Sequence, residues 1–93
     1  MKNNYSTTNN LKKIRERKKL TLQDLANRTG LNLTEIHFLE IDRYDLRKAK
    51  FETIQKLCDG LQVSMYDLFV DKEYANSLLT FTKKRYSKKS ITK

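Results

Sequence analysis

Leu20-Thr21-Leu22-Gln23-Asp24-Leu25-Ala26-Asn27-Arg28-Thr29-Gly30-Leu31-Asn32-Leu33-Thr34-Glu35-Ile36-His37-Phe38-Leu39-Glu40-Ile41 reads as two short helices joined by a tight turn. Thr21 supplies a capping hydroxyl, and Asp24 three residues later is the acidic acceptor of a capping-box variant. Leu22, Leu25 and Ala26 form the buried face of a helix over about 22–29. Gly30 ends that helix where a left-handed conformation is needed. Asn32, with Glu35 completing its cap, opens a second helix over about 33–41. Ala26 is small where the two helices should cross, and Ile36 and Leu39 lie on the face that packs back onto the first of them.

Outward from this pair, the same periodicity continues. Leu11, Ile14 and Lys18 share one face behind Asn10 as cap, which gives a short basic helix over 11–18. Beyond a polar stretch through Lys50, Phe51, Ile54, Leu57, Cys58 and Leu61 recur at three- and four-residue spacing and predict a helix over 51–61, with Gly60 weakening its last turn. Ser64-Met65-Tyr66-Asp67 caps a short helix bearing Leu68 and Phe69, and Tyr74, Leu78 and Phe81 mark an amphipathic segment from near Asp71. The expected organisation is a flexible 1–9, a helical domain over 10–70, an amphipathic 71–82 and a basic disordered tail over 83–93. The expected class is all-α: five helices, the C-terminal amphipathic segment and the tail. Ninety-three residues hold one core, and zero prolines with two glycines disfavour a turn-rich β-barrel.

Several function classes drop out. No apolar run approaches the roughly 18 to 20 residues that span a bilayer, and residues 1–10 are polar without a secretory pattern, so a cytoplasmic location is expected. Cys58 and His37, each the only residue of its type, fall short of a disulfide or a structural zinc site, so no cofactor is expected. There is no phosphate-binding glycine loop and no nucleophile with a base and an orienting acid, so neither an enzyme nor a small-molecule substrate is expected. The charge points elsewhere. The net +9 divides into +6 over residues 1–19, −3 over 20–73 and +6 over 74–93, and basic segments flanking a compact domain attract polyanions. Nucleic acid is the partner class this implies, against the plainer reading that Lys83-Lys84-Arg85-Tyr86-Ser87-Lys88-Lys89 only aids solubility.

The glycine turn between two helices is the helix-turn-helix arrangement, and residues 11–69 as a whole resemble the phage repressor and Cro-type (XRE-like) helix-turn-helix family. The matching segments are Leu20-Thr21-Leu22-Gln23-Asp24-Leu25-Ala26, Thr29-Gly30-Leu31-Asn32, Ile36-His37-Phe38-Leu39-Glu40, Phe51-Glu52-Thr53-Ile54-Gln55-Lys56-Leu57 and Val63-Ser64-Met65-Tyr66-Asp67-Leu68-Phe69. The resemblance implies a partly buried ion pair between Arg15 and Glu40. It implies base reading by Leu33, Thr34, His37 and Phe38, and a sequence-specific regulator of transcription, a repressor, on double-stranded DNA. Backbone contacts are expected from Thr21, Gln23, Asn32, Arg43, Arg47 and Lys48. A homodimer on a pseudo-palindrome is expected, with Tyr74, Leu78, Leu79 and Phe81 either forming its surface or completing the monomer's core.

The sequence also departs from the pattern. Helix 33–41 has no lysine or arginine and carries Glu35 and Glu40, so it lacks the arginine that most often reads guanine. Leu22 stands where the family commonly has a phosphate-binding glutamine, and Asp42 where it has a glycine. The connection Ile41 to Lys50 is longer than usual and holds Arg43, Tyr44, Arg47, Lys48 and Lys50. Thr34, Phe38 and Ile41 point away from the core side at about 100° per residue. That apolar strip allows thymine-methyl contact, a protein interface, or burial of Phe38 beneath the longer loop. The alternative function is therefore a protein-binding module, an antirepressor or inhibitor of another nucleic-acid-binding protein, acting through helix 33–41.

Overall fold

Most helix starts among the described residues are set by side chains that accept otherwise unpaired amides, as the computed structural model, which describes residues 8–80, shows. The Thr21 hydroxyl accepts from the Asp24 amide at 2.9 Å, and the Asp24 carboxylate accepts from the Thr21 amide at 2.9 Å, a reciprocal box that opens α2 (Leu22–Thr29). Asn32 opens α3 (Leu33–Glu40) by accepting from Thr34 and Glu35 amides at 2.8 and 3.3 Å, so Glu35 contributes its amide to this cap. The first helix, α1 (Leu11–Arg17), is capped by Asn9 in place of Asn10. Asn10 sits at φ −104°, ψ 18°, off the extended geometry that lets a side chain turn back on the helix, and its amide donates instead to the Asp67 carbonyl at 3.0 Å. Lys50 precedes α4 (Phe51–Leu61), Ser64 caps the single turn α5 (Met65–Leu68), and Asp71 accepts two amides at the start of α6 (residues 72–80).

The described residues form an all-helical domain whose one strand-like contact is an antiparallel bridge between Asn9 and Phe69. Leu11, Leu25, Ile36, Leu46, Leu57, Leu61, Leu68 and Phe69 are fully buried at its centre. Each such side chain contributes about 1.5–3 kcal/mol of transfer free energy, which stands in for any staple. Cys58 lies in this core, where burial pushes its thiol up to about 12. Ala75 is buried, and Tyr74, Leu78 and Leu79, each partly buried, pack against the same core. Tyr74 meets Phe69 edge-on at 5.0 Å and donates its hydroxyl to the Arg47 carbonyl at 2.6 Å. Phe81 and the basic tail over 83–93 lie outside the described residues.

The orientation of α3 is fixed at its C-terminal end. Arg15 Nε and Nη2 donate to Glu40 Oε2 and Oε1 at 2.6 and 3.2 Å, and Nη1 donates to the Leu20 carbonyl at 2.7 Å. Arg15 is 8% and Glu40 3% exposed, so this fork joins α1, the entry to α2 and the end of α3 inside the domain. The hydrogen bond it donates to Glu40 holds the Arg15 guanidinium above its ordinary range. Just beyond it, Asp42 adopts φ 62° where the resembled family has glycine, and its carboxylate takes the Thr8 amide and hydroxyl, both at 2.7 Å. Aspartate tolerates that left-handed conformation better than most residues. Thr8 and Asn9 are thus tied into the domain, in contrast to the flexible 1–9 expected from the sequence. Asn9 is 3% exposed and donates to the Leu39 carbonyl at 3.1 Å.

Gly60 has a different purpose from the one its helix propensity suggests. A Cβ placed on it would lie 2.7 Å from Thr29 Cγ2. Thr29 cannot swing away freely, since its hydroxyl donates to the Leu25 carbonyl at 2.8 Å and accepts from the Leu31 amide at 3.1 Å. Glycine therefore permits the close crossing of α2 and α4. Gly60→Ala should gain about 1 kcal/mol of helix propensity yet lose more to overpacking, for a net destabilisation of about 1–2 kcal/mol by urea unfolding. A stabilised variant would show that the two helices have room to spare.

Candidate nucleic-acid interface

Burial divides α3 into two faces. Ile36 and Leu39 are buried with Glu40, while Leu33, Thr34 and His37 are open on the other side, Leu33 at 36%. These three come from one turn of helix and form a contiguous outer surface. Phe38, the fourth residue expected there, is half-buried. The connection after α3 folds back on it: Arg43 and Tyr44 amides donate to the Phe38 carbonyl at 2.8 and 3.2 Å, and Tyr44 meets its ring edge-on with centroids 5.2 Å apart. The Arg43 guanidinium lies over the same ring at 5.1 Å. Of the three fates open to this ring from the sequence, partial cover by the long loop is the one the structure displays.

The N-terminus of α2 lies at the other side of the turn. Thr21 and Gln23 are exposed, and Gln23 Nε2 donates to Asn27 Oδ1 at 3.0 Å along the helix. Hydrogen bonds from Thr21 hold the Asp24 carboxyl below its ordinary range, keeping that cap ionised. Leu22 packs against the core, which accounts for a leucine at a position where the family places a polar residue. Asn32 is exposed at the start of α3, with its carbonyl oxygen used in the cap.

The loop between α3 and α4 is anchored by Leu46, fully buried, on a turn of 3-10 helix over Leu46–Lys48. Its basic residues differ in what they have available. Arg47 Nε and Nη2 donate to Asp45 Oδ1 and Oδ2 at 3.0 and 2.8 Å, a two-pronged pair that holds the Asp45 carboxyl below and the Arg47 guanidinium above their ordinary ranges. Lys48 is exposed, and Arg43 is exposed over Phe38. The electrostatics of α3 change as well: Glu40 is turned inward to Arg15, so Glu35 is the carboxylate of α3 left outside the core. The Asp45 partner, the Asp42–Thr8 tie and the Tyr44 contact were not legible as site features. The Asp-x-Arg spacing at 45–47 was the one local signal for the first of these.

No group of three or more His, Cys, Asp or Glu side chains among the described residues is arranged to hold a metal ion, and no described helix is long and apolar enough to cross a membrane. The arrangement is that of a binding surface: an outward helix face, a capped helix N-terminus beside it and a basic loop. Residues 10–73 match the model of the Cro/C1-type HTH DNA-binding domain. The chain belongs to that family, whose members are typically non-enzymatic, and DNA binding follows from membership. No curated protein and no solved structure matches the chain significantly.

Replacing Asp45 with asparagine keeps an oxygen for the Arg47 amide and removes the charge that engages the guanidinium. Asp45→Asn should tighten DNA binding severalfold at low salt and steepen the dependence of log affinity on log salt by about one. Titrations of a labelled duplex at several salt concentrations check this, and an unchanged slope would mean Arg47 faces away from the phosphates.

Proposed function

We propose that this chain is a sequence-specific, double-stranded-DNA-binding transcriptional repressor that acts as a homodimer, with α3 as its recognition helix. The observation that carries this reading is the open face formed by Leu33, Thr34 and His37, on a helix whose opposite face and C-terminal end are fixed in the core. Leucine and threonine suit thymine methyl groups, and His37 supplies a polar edge, so an A·T-rich half-site fits this surface. Thr21 and Asn32 have hydroxyl and amide hydrogens beyond the cap bonds their oxygens accept, and with Gln23, Lys48 and Arg47 they suit the backbone. With two copies, half-sites about one helical turn apart are expected.

The alternative, a protein-binding module acting through helix 33–41, rests on the apolar strip of that helix and on Glu35 and Glu40 together. With Glu40 turned to Arg15 the outer face is less acidic, which favours DNA.

Selection from a randomised duplex pool, with the full chain and a version lacking residues 83–93, tests the proposal. Both should enrich one palindromic motif, the truncated chain binding more weakly with a shallower salt slope. Salt-sensitive retention without a motif, lost on truncation, would mean the basic tail holds DNA without reading it.

A further inference from the structure

Helix α3 has no arginine or lysine of its own, yet the fork of an arginine is the commonest reader of guanine O6 and N7. The loop behind the helix brings one back. The chain reverses after Glu40 through Asp42, whose left-handed conformation is held by Thr8, and Arg43 and Tyr44 amides both close onto the Phe38 carbonyl. The Arg43 guanidinium consequently lies 5.1 Å from the centroid of the Phe38 ring, and that ring lies 6.0 Å from His37. Arg43 follows the helix in sequence, but its guanidinium comes back over a ring that the helix itself carries.

The chemistry of this contact leaves the arginine usable. A guanidinium held over a ring by cation–π attraction spends none of its charge on a carboxylate and keeps most of its five N–H donors for a second group. Among the described residues Arg43 makes no salt bridge, whereas the fork of Arg47 is engaged by Asp45. Lys48 and Lys50 carry compact, strongly hydrated ammonium groups without the planar fork of an arginine. The edge-on contact with Tyr44 and the Arg43 cation above it both engage the Phe38 ring, which suits it as a support more than as a reader.

We propose that Arg43, held over the Phe38 ring, reads a guanine in each half-site, and that Phe38 is the positioning residue for it and does not itself read a base. This rests on α3 being the recognition helix. It gives Arg43 a base where its place in a basic loop suggests only phosphate, and it supplies the guanine contact that α3 lacks.

The test is selection from a randomised duplex pool with the parent chain, Arg43→Lys, Phe38→Leu and Phe38→Trp. The parent should enrich a guanine at one position of each half-site. Arg43→Lys keeps the charge without the fork, and should lose about tenfold of the preference at that position while the remainder of the motif persists. Phe38→Leu, which fills similar space without a π face, should lose the same position, and Phe38→Trp should retain it. An unchanged guanine in Arg43→Lys would make Arg43 a phosphate contact and overturn the proposal. Loss in Arg43→Lys with full retention in Phe38→Leu would overturn the positioning role. If the parent enriches no motif, the reading of α3 falls with it, whereas a motif indifferent to these substitutions leaves that reading standing and removes only this inference.

Discussion

Everything on the outer face of α3 depends on one buried fork. Arg15 reaches from α1 to two oxygens of Glu40 at the end of α3 and to the Leu20 carbonyl just ahead of α2, so one side chain fixes three segments relative to one another. Two charges this deeply enclosed give little net stability when paired, because desolvation offsets their attraction. Their effect is geometric: with both ends of the pair enclosed, α3 has one rotation about its axis that keeps Ile36 and Leu39 in the core, and Leu33, Thr34 and His37 outward. The same pair removes Glu40 from the surface, which lowers the electrostatic obstacle to approaching phosphate.

The departures from the family pattern have local compensations. Asp42 takes the conformation a glycine would adopt, and the Thr8 amide and hydroxyl occupy its carboxylate, so the exit from α3 is held from outside the helix-turn-helix pair. The longer loop is fastened by Leu46 below and Tyr74 behind, and it returns Arg43 and Tyr44 to Phe38. A loop of this length attached only at its ends would lose more entropy on binding DNA than one already in place.

Helix content and the turn at Gly30 were legible because they follow local rules: apolar spacing, a capping hydroxyl, a residue suited to positive φ. The reciprocal Thr21–Asp24 cap is such a case. What escaped was set by distant partners. Asn9 replaces Asn10 as a cap because the bridge to Phe69 fixes the backbone there. Gly60 reads as a weak helix residue until Thr29 is placed against it. Arg47 reads as a free cation until Asp45 is seen to hold it, and Phe38 reads as exposed on a helical wheel, which has no term for a loop folding back. Residues 1–7 and 81–93, with the basic tail and Phe81, remain a matter of sequence alone.

The most direct measurement is equilibrium urea unfolding of Glu40→Gln beside the parent chain. Glutamine keeps the shape and one acceptor while leaving the enclosed Arg15 cation with only the exposed Glu16 carboxylate, 4.0 Å away, as counter-charge. A loss of about 3 kcal/mol is expected for a pair buried to this degree. An unfolding midpoint and slope unchanged from the parent would mean that Arg15 and Glu40 are not joined in solution, and that the orientation of α3 must be held by something else.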